Sequence, residues 1–249
     1  MNLRYITCSD PREFNDIHDI VRLGQMSSRV EIAVQAHPSK MSPGMPRNEW
    51  FHELLEYVMM DKYKIRLAIH VNREWCDEIC RNGKIPSELQ EFFELNRNNN
   101  PYQPIIKRWQ LNIPKDTVNK IQYCGLKRLF DSNPEKEFIL QYNDNTRDVC
   151  RMLHGMNTRF SLLYDASGGR GLSPNSWMAP VYPNVYQGYS GGMSPENVSE
   201  NLDKISSVVP SGSYIWIDAE GRLKSDDKFN TERATQYILN AENWLSRQR

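Results

Sequence analysis

Arg159-Phe-Ser-Leu-Leu-Tyr-Asp165-Ala-Ser-Gly-Gly-Arg-Gly171 carries an apolar run too short for a helix, Phe160 to Tyr164, into a carboxylate and a loop with Gly168, Gly169 and Gly171. This is the pattern of a buried strand whose end delivers an acid or base. Val185-Tyr-Gln-Gly-Tyr-Ser-Gly-Gly-Met-Ser-Pro-Glu-Asn-Val198 repeats the plan: a short run ends in Gly191-Gly192, and Ser194-Pro195-Glu196 opens an amphipathic stretch. Ser194 reads as a helix N-cap, Pro195 as the first helical residue and Glu196 as its acidic first turn. Amides at such a turn suit an anion, because N–H groups at a helix start lack intrahelical partners and the dipole is positive there.

Outward from these units the same alternation fills the chain. The strand-like runs are Leu3 to Thr7, Val30 to Ala36, Ile65 to Val71, Ile105 to Ile113, Glu137 to Tyr142, Arg159 to Tyr164, Asn184 to Tyr189 and Ser213 to Ile217. Helical periods separate them at Phe14 to Leu23, Glu49 to Met60, Glu74 to Cys80 with Ser87 to Leu95, Asp116 to Phe130, Thr146 to Leu153 and Pro195 to Val209, and Thr231 to Leu245 follows the last run. Leu172 to Pro183 holds three prolines and reads as a long loop. Eight alternations in 249 residues have the size and rhythm of a single (β/α)8 TIM barrel over residues 1–249, in preference to an open doubly wound sheet. Two segments read as insertions. Residues 38–48, rich in Pro and Gly, follow the second strand on the side of a barrel's active site, as a lid would; residues 81–104 belong to the opposite face.

Lys plus Arg and Asp plus Glu balance at 31 each, which gives no bulk electrostatic reason to expect nucleic acid or an anionic membrane as partner. The start has no apolar stretch of signal-peptide length, and no segment approaches the roughly 18 apolar residues of a membrane span, so a cytoplasmic location is expected. Five scattered cysteines argue for reduced thiols. His37 and His70 have no carboxylate at metal-ligand spacing, and no Rossmann or Walker pattern occurs, so neither metal nor cofactor is expected. Cys8, His37, His70 or Asn72, Asn112, Gln141 or Asn143, Asp165 and Asp218 fall at or just beyond the strand ends, where a barrel builds its site.

Asp165 with the glycines that follow and Trp177, then Gly191-Gly192 and Ser194-Pro195-Glu196-Asn197, resemble the sixth and seventh strand–loop units of phosphoribosylanthranilate isomerase. The resemblance covers about a quarter of the chain. It implies an aldose–ketose isomerase of the Amadori type, without cofactor, acting on a small sugar phosphate or a related polar sugar. Asp165 matches the family's general acid, and Cys8 the cysteine that ends the first strand as general base. The family usually has Lys before that cysteine and Gly after it; here Thr7 and Ser9 stand there. Gly191 and Gly192 match the glycine pair of the phosphate loop after strand seven. After strand eight the family's Ser-Gly pair is replaced by Glu220-Gly221, and a carboxylate beside a phosphate weakens binding unless Arg222 or Lys224 offsets it. Arg47 is in line for the arginine that meets the anthranilate carboxylate, at longer spacing. Gly168 and Gly169 complete the expected binding set.

Two other readings remain open from the residues alone. One is a barrel that binds a small polar ligand or a protein partner without catalysis, favoured by the surroundings of Cys8 and by Glu220. The other is a sugar hydrolase using Asp165 with Asp218 or Glu220 as a carboxylate pair.

Overall fold

The computed structural model describes residues 1–60, 64–165, 167 and 171–248. Eight parallel strands close into a barrel in sequence order: β1 (Asn2–Ser9), β2 (Val30–Ala36), β3 (Arg66–Val71), β4 (Ile106–Leu111), β5 (Glu137–Tyr142), β6 (Ser161–Asp165), β7 (Gln187–Ser190) and β8 (Tyr214–Ala219). β8 pairs back onto β1, so the sheet has no free edge. Each expected run overlaps one strand; β1 and β8 extend to Ser9 and Ala219, past the expected ends at Thr7 and Ile217, while β7 starts at Gln187, three residues after the expected Asn184.

The helices are α1 (Ile17–Gln25), α2 (Pro38–Met41), α3 (Pro46–Met59), α4 (Arg73–Asn82), α5 (Ser87–Glu94), α6 (Tyr123–Asp131), α7 (Arg147–Gly155), α8 (Val198–Val208) and α9 (Thr231–Ser246). Asp16 caps α1 by accepting from the His18 amide, and Asn230 caps α9 by accepting from Arg233. Each helix buries one stripe: on α9 it is Ala234, Tyr237, Ile238, Ala241 and Trp244, at the three- and four-residue spacing of a helix face. An Ile or Leu buried in this way contributes roughly 1.5–3 kcal/mol, so the ring of helices supplies much of the stability. Among the described residues no helix is long and apolar enough to cross a membrane.

Four helices differ from their expected spans: α1 starts at Ile17, after the expected Phe14, α3 starts at Pro46, before the expected Glu49, and two further departures have a visible cause. Asp116 to Phe130 is a 3-10 turn at Lys115–Lys120 followed by α6, because the Gln122 amide donates to Cys80 O of α4 and leaves the helical ladder. α8 starts at Val198, later than Pro195, because Asn197 spends its side chain on the Ser194 amide and on Gly192 O. Leu172 to Pro183 has no helix, as its prolines predict. The 38–48 segment forms α2 and the start of α3 beside the barrel mouth, and the 81–104 segment runs through α5 toward the start of β4.

Alternate residues of each strand face the barrel axis. At the floor Arg108 lies between Tyr5 and Trp216, 4.4 Å from each ring centre, with Glu31 at 2.6 Å and Glu137 at 3.2 Å. Above it Trp216, Ile139 and Leu163 fill the axis. Gly188 makes this layer fit, since a Cβ there would sit 2.1 Å from the Trp216 ring. The interior is therefore packed, and only the C-terminal mouth is left for chemistry.

Candidate functional site

The inward positions at the strand ends are Ser9, Gln35, His70, Gln110, Gln141, Asp165, Ser190 and Asp218, all polar. Parity along β1 decides the first of them. Thr7 bonds Glu31 across the interior at 2.8 Å and Ser9 bonds Asp218 at 2.6 Å, so Cys8 between them points outward. Its thiol is fully buried in the layer between barrel and helices, and burial, then the charge of Asp218, pushes its pKa well up. Cys8 is not brought to the mouth. An inert thiol in that layer cannot serve as the base expected for it, and Ser9 takes the inward place instead, beneath the mouth and bonded to Asp218.

Asp165 and Asp218 line one cavity of about 150 Å³ with His70, Gln110, Gln141, Ser190, Gly191, Gly192, Gly221 and Arg222. Asp165 Oδ1 accepts from the Ser167 amide (3.1 Å) and hydroxyl (2.7 Å), which fixes the carboxylate at the end of β6. Burial raises the Asp218 pKa to about 7; the charges of Glu220 and Glu31 push the same way, while the Ser9 hydroxyl and Arg108 oppose it. A carboxyl group that holds its proton to near neutrality in a cleft is equipped for proton transfer.

Gly191 and Gly192 have φ of 121° and 60°, in the left-handed region. They also lie against the 172–173 segment: a Cβ on Gly192 would meet Ser173 N at 2.5 Å. Glycine is thus required here by close approach as well as by conformation. Among the described residues nothing accepts a hydrogen bond from the Gly191, Gly192 or Met193 amide, and all three residues line the cavity. Gly221 and Arg222, on the 3-10 turn that follows β8, line the same cavity. Glu220 lines the same cavity, its carboxylate held by Gln35 at 2.9 Å and by Lys224 at 3.0 Å. The offset that a carboxylate beside an anion requires is present.

A second cavity of about 520 Å³ adjoins the first and shares Asn112 and Glu220 with it. Arg12, His37, Lys40, Arg47 and Arg73 line it. Arg47 is buried and already engaged by Glu13 (3.0 Å), the Gln35 carbonyl (3.4 Å) and Asp10 (3.6 Å), so it positions the β1 and β2 loops. Gly168 and Gly169 lie outside the described residues. Ser9, Gln35, Gln110, Ser167 and Ser190 join the site without having been singled out, whereas Arg222 was expected there only as an offset to Glu220; strand parity is the signal that finds Ser9, Gln35, Gln110 and Ser190.

No protein-family model matches the chain, and no curated protein does. Solved structures are similar to it over their whole length. Phosphoribosylanthranilate isomerase from Thermus thermophilus has 13% identity, covers all of both chains and has a TM-score of 0.53. N-(5'-phosphoribosyl)anthranilate isomerase from Pyrococcus furiosus has 12% identity over 96% of this chain and 98% of its own, with a TM-score of 0.51. A phosphoribosylanthranilate isomerase in complex with reduced 1-(o-carboxyphenylamino)-1-deoxyribulose 5-phosphate has 16% identity, 98% and 100% coverage and a TM-score of 0.50. At these identities the likeness is one of fold.

Proposed function

We propose that the barrel mouth is the active site of a cofactor-independent aldose–ketose isomerase acting on a small sugar phosphate of the phosphoribosylanthranilate type. The observation that carries this reading is the pair Asp165 and Asp218 in one cavity, beside a glycine turn whose amides have no acceptor among the described residues. The similar isomerase with a bound ribulose 5-phosphate derivative supports it. With its pKa near 7, Asp218 is the group whose proton is available at neutral pH, so it donates to the ring oxygen as the sugar opens to the imine. Asp165, expected as the acid, takes the C2 proton as the base. The C2 hydroxyl proton leaves as the ketone forms and C1 gains one proton, so the rearrangement consumes and releases none overall. The amides of Gly191, Gly192 and Met193, with Arg222 near them, hold the phosphate.

The test is a thermal-shift titration with inorganic phosphate and ribose 5-phosphate, followed by an assay of phosphoribosylanthranilate turnover from its fluorescence. Ligand binding raises Tm by mass action. Gly192→Glu abolishes the phosphate shift, and Arg222→Ala, at an exposed side chain, weakens it without backbone strain. Asp165→Asn and Asp218→Asn each lower kcat about 10²–10⁴-fold, the usual worth of a general acid or base. Phosphate binding with no turnover, and no effect of either Asn variant, would leave the barrel as a binding module.

A further inference from the structure

Glu220, Gln35, Asn72, Asn112 and Gln110 form one hydrogen-bonded line across the mouth, from β8 over the ends of β2 and β3 to β4. Gln35 Nε2 donates to Glu220 Oε2 (2.9 Å), Asn72 Nδ2 to Gln35 Oε1, Asn112 Nδ2 to Asn72 Oδ1 (2.8 Å), and Gln110 Nε2 to Asn112 Oδ1 (2.8 Å). Any single amide could be turned end for end and still make one such bond. The line as a whole has one polarity, because it starts on a carboxylate, which accepts only, paired with Lys224 through its other oxygen. Gln35 must present its NH2 to Glu220, and Asn72 occupies its carbonyl.

The Gln35 NH2 is also the group 3.5 Å from His70 Nδ1. That ring nitrogen is therefore the acceptor, and the proton of the neutral imidazole sits on Nε2. His70 is only 3% exposed and lines the cavity that holds Asp165 and Asp218; no described residue pairs with its Nε2. Burial, reinforced by the charge of Arg108 and opposed by Asp10, lowers its pKa to about 3, so the ring is uncharged at any working pH.

We propose that His70 is a neutral hydrogen-bond donor to a sugar oxygen of the substrate, with Gln35 and Glu220 as positioning residues that lock its tautomer. This rests on the isomerase reading. The oxygen on C2 changes from hydroxyl to carbonyl along the rearrangement, and both forms accept a hydrogen bond. A neutral Nε2–H holds that oxygen throughout and gives up no proton, so it adds nothing to the proton balance between Asp165 and Asp218. The site thereby favours a substrate with oxygen at C2 over its 2-deoxy analogue.

The tautomer is read directly from two-bond nitrogen–proton correlations of protein labelled with [15N]histidine, His70 being assigned by its loss in His70→Gln. The wild type is expected to show the Nε2–H pattern, unchanged from pH 5 to 8, and Glu220→Gln a mixture of both tautomers. An Nδ1–H pattern in the wild type, or titration near 6.5, overturns the inference alone. Binding supplies the second arm. Ribose 5-phosphate should shift Tm more than inorganic phosphate and more than 2-deoxyribose 5-phosphate. His70→Leu removes that increment, about tenfold in affinity, while leaving the phosphate shift; His70→Gln, which keeps a donor, retains part of it. An increment undiminished in His70→Leu overturns the role. Absence of any shift for either phosphate compound in the wild type overturns the isomerase reading, and the ligand role with it.

Discussion

Asp218→Asn should make the protein more stable at alkaline pH while it disables catalysis. Asp218 is buried, and its carboxyl moves from an ordinary 3.8 to about 7 on folding. Between those values the folded state binds a proton that the unfolded state has released, so stability falls as pH rises through this window. The stabilisation is fully present below about pH 4 and lost above about pH 7, and at about 1.36 kcal/mol per pH unit it amounts to about 4 kcal/mol. Asparagine has nearly the shape of the neutral acid and keeps an oxygen for the Ser9 hydroxyl, so the variant escapes the loss. Urea denaturation of both proteins from pH 4 to 8.5 measures it. The two stability curves should coincide near pH 4 and diverge to about 4 kcal/mol, the variant being the more stable at pH 8.5. Glu31, whose pKa burial also raises against the pull of Arg108, is common to both proteins and cancels in the difference. Curves that stay parallel would refute the reasoning, because Asp218 would then titrate alike in both states and could not be the acid. Under the proposed isomerase reading this would be a stability–activity trade-off, because the same burial that disfavours the ionised carboxylate gives it a proton to donate.

Cys8→Ala should leave kcat and the pH profile of any turnover unchanged and lower stability modestly, since the thiol fills the layer outside the barrel; a hundredfold loss of kcat would restore it as the base. Arg108→Met strands Glu31 and Glu137 at the barrel floor and should cost about 3–5 kcal/mol by urea denaturation, whereas Arg108→Met with Glu31→Met and Glu137→Gln should recover most of it. Gly188→Ala drives a methyl into the Trp216 ring and should cost at least about 1–3 kcal/mol, seen as a lower Tm and altered tryptophan fluorescence; an unchanged Tm would mean that the interior is not packed as described.

The barrel itself was legible in the sequence because its signal is redundant. Eight runs of β-branched and apolar residues each report a strand, and an error of two residues at Ala219 or Ser9 changes neither their number nor their order. Val30–Ala36 and Glu137–Tyr142 could be bounded closely because turn residues flank runs that are buried or half-buried throughout. The helix from Asp116 was misjudged for a non-local reason: the Gln122 amide bonds a carbonyl on α4, forty-two residues away, which no local pattern encodes.

Site residues carry no such redundancy, and parity is the reason. Side chains alternate across a strand, so displacing the register by one residue exchanges the mouth for the outer layer. A family cysteine aligned to Cys8 by its place near the end of β1 lands on the outer face, while Ser9, one residue on, bonds Asp218 at the mouth. The polarity of these positions would have served better than the likeness. Thr7 and Ser9 alternate with Ile6 and Cys8, as Trp216 and Asp218 alternate with Ile215 and Ile217, and Leu163 and Asp165 with Leu162 and Tyr164. In each of these strands the polar end of the inward set points to the mouth. What that periodicity cannot reveal is the partner: that Asp218 meets Ser9, or that Gln35 lies between Glu220 and His70, depends on closure of β8 onto β1 and on loops that bring residue 220 beside residue 35. Chemistry in this fold arises from pairs distant in sequence, and the strand pattern fixes only the ring on which those pairs are drawn.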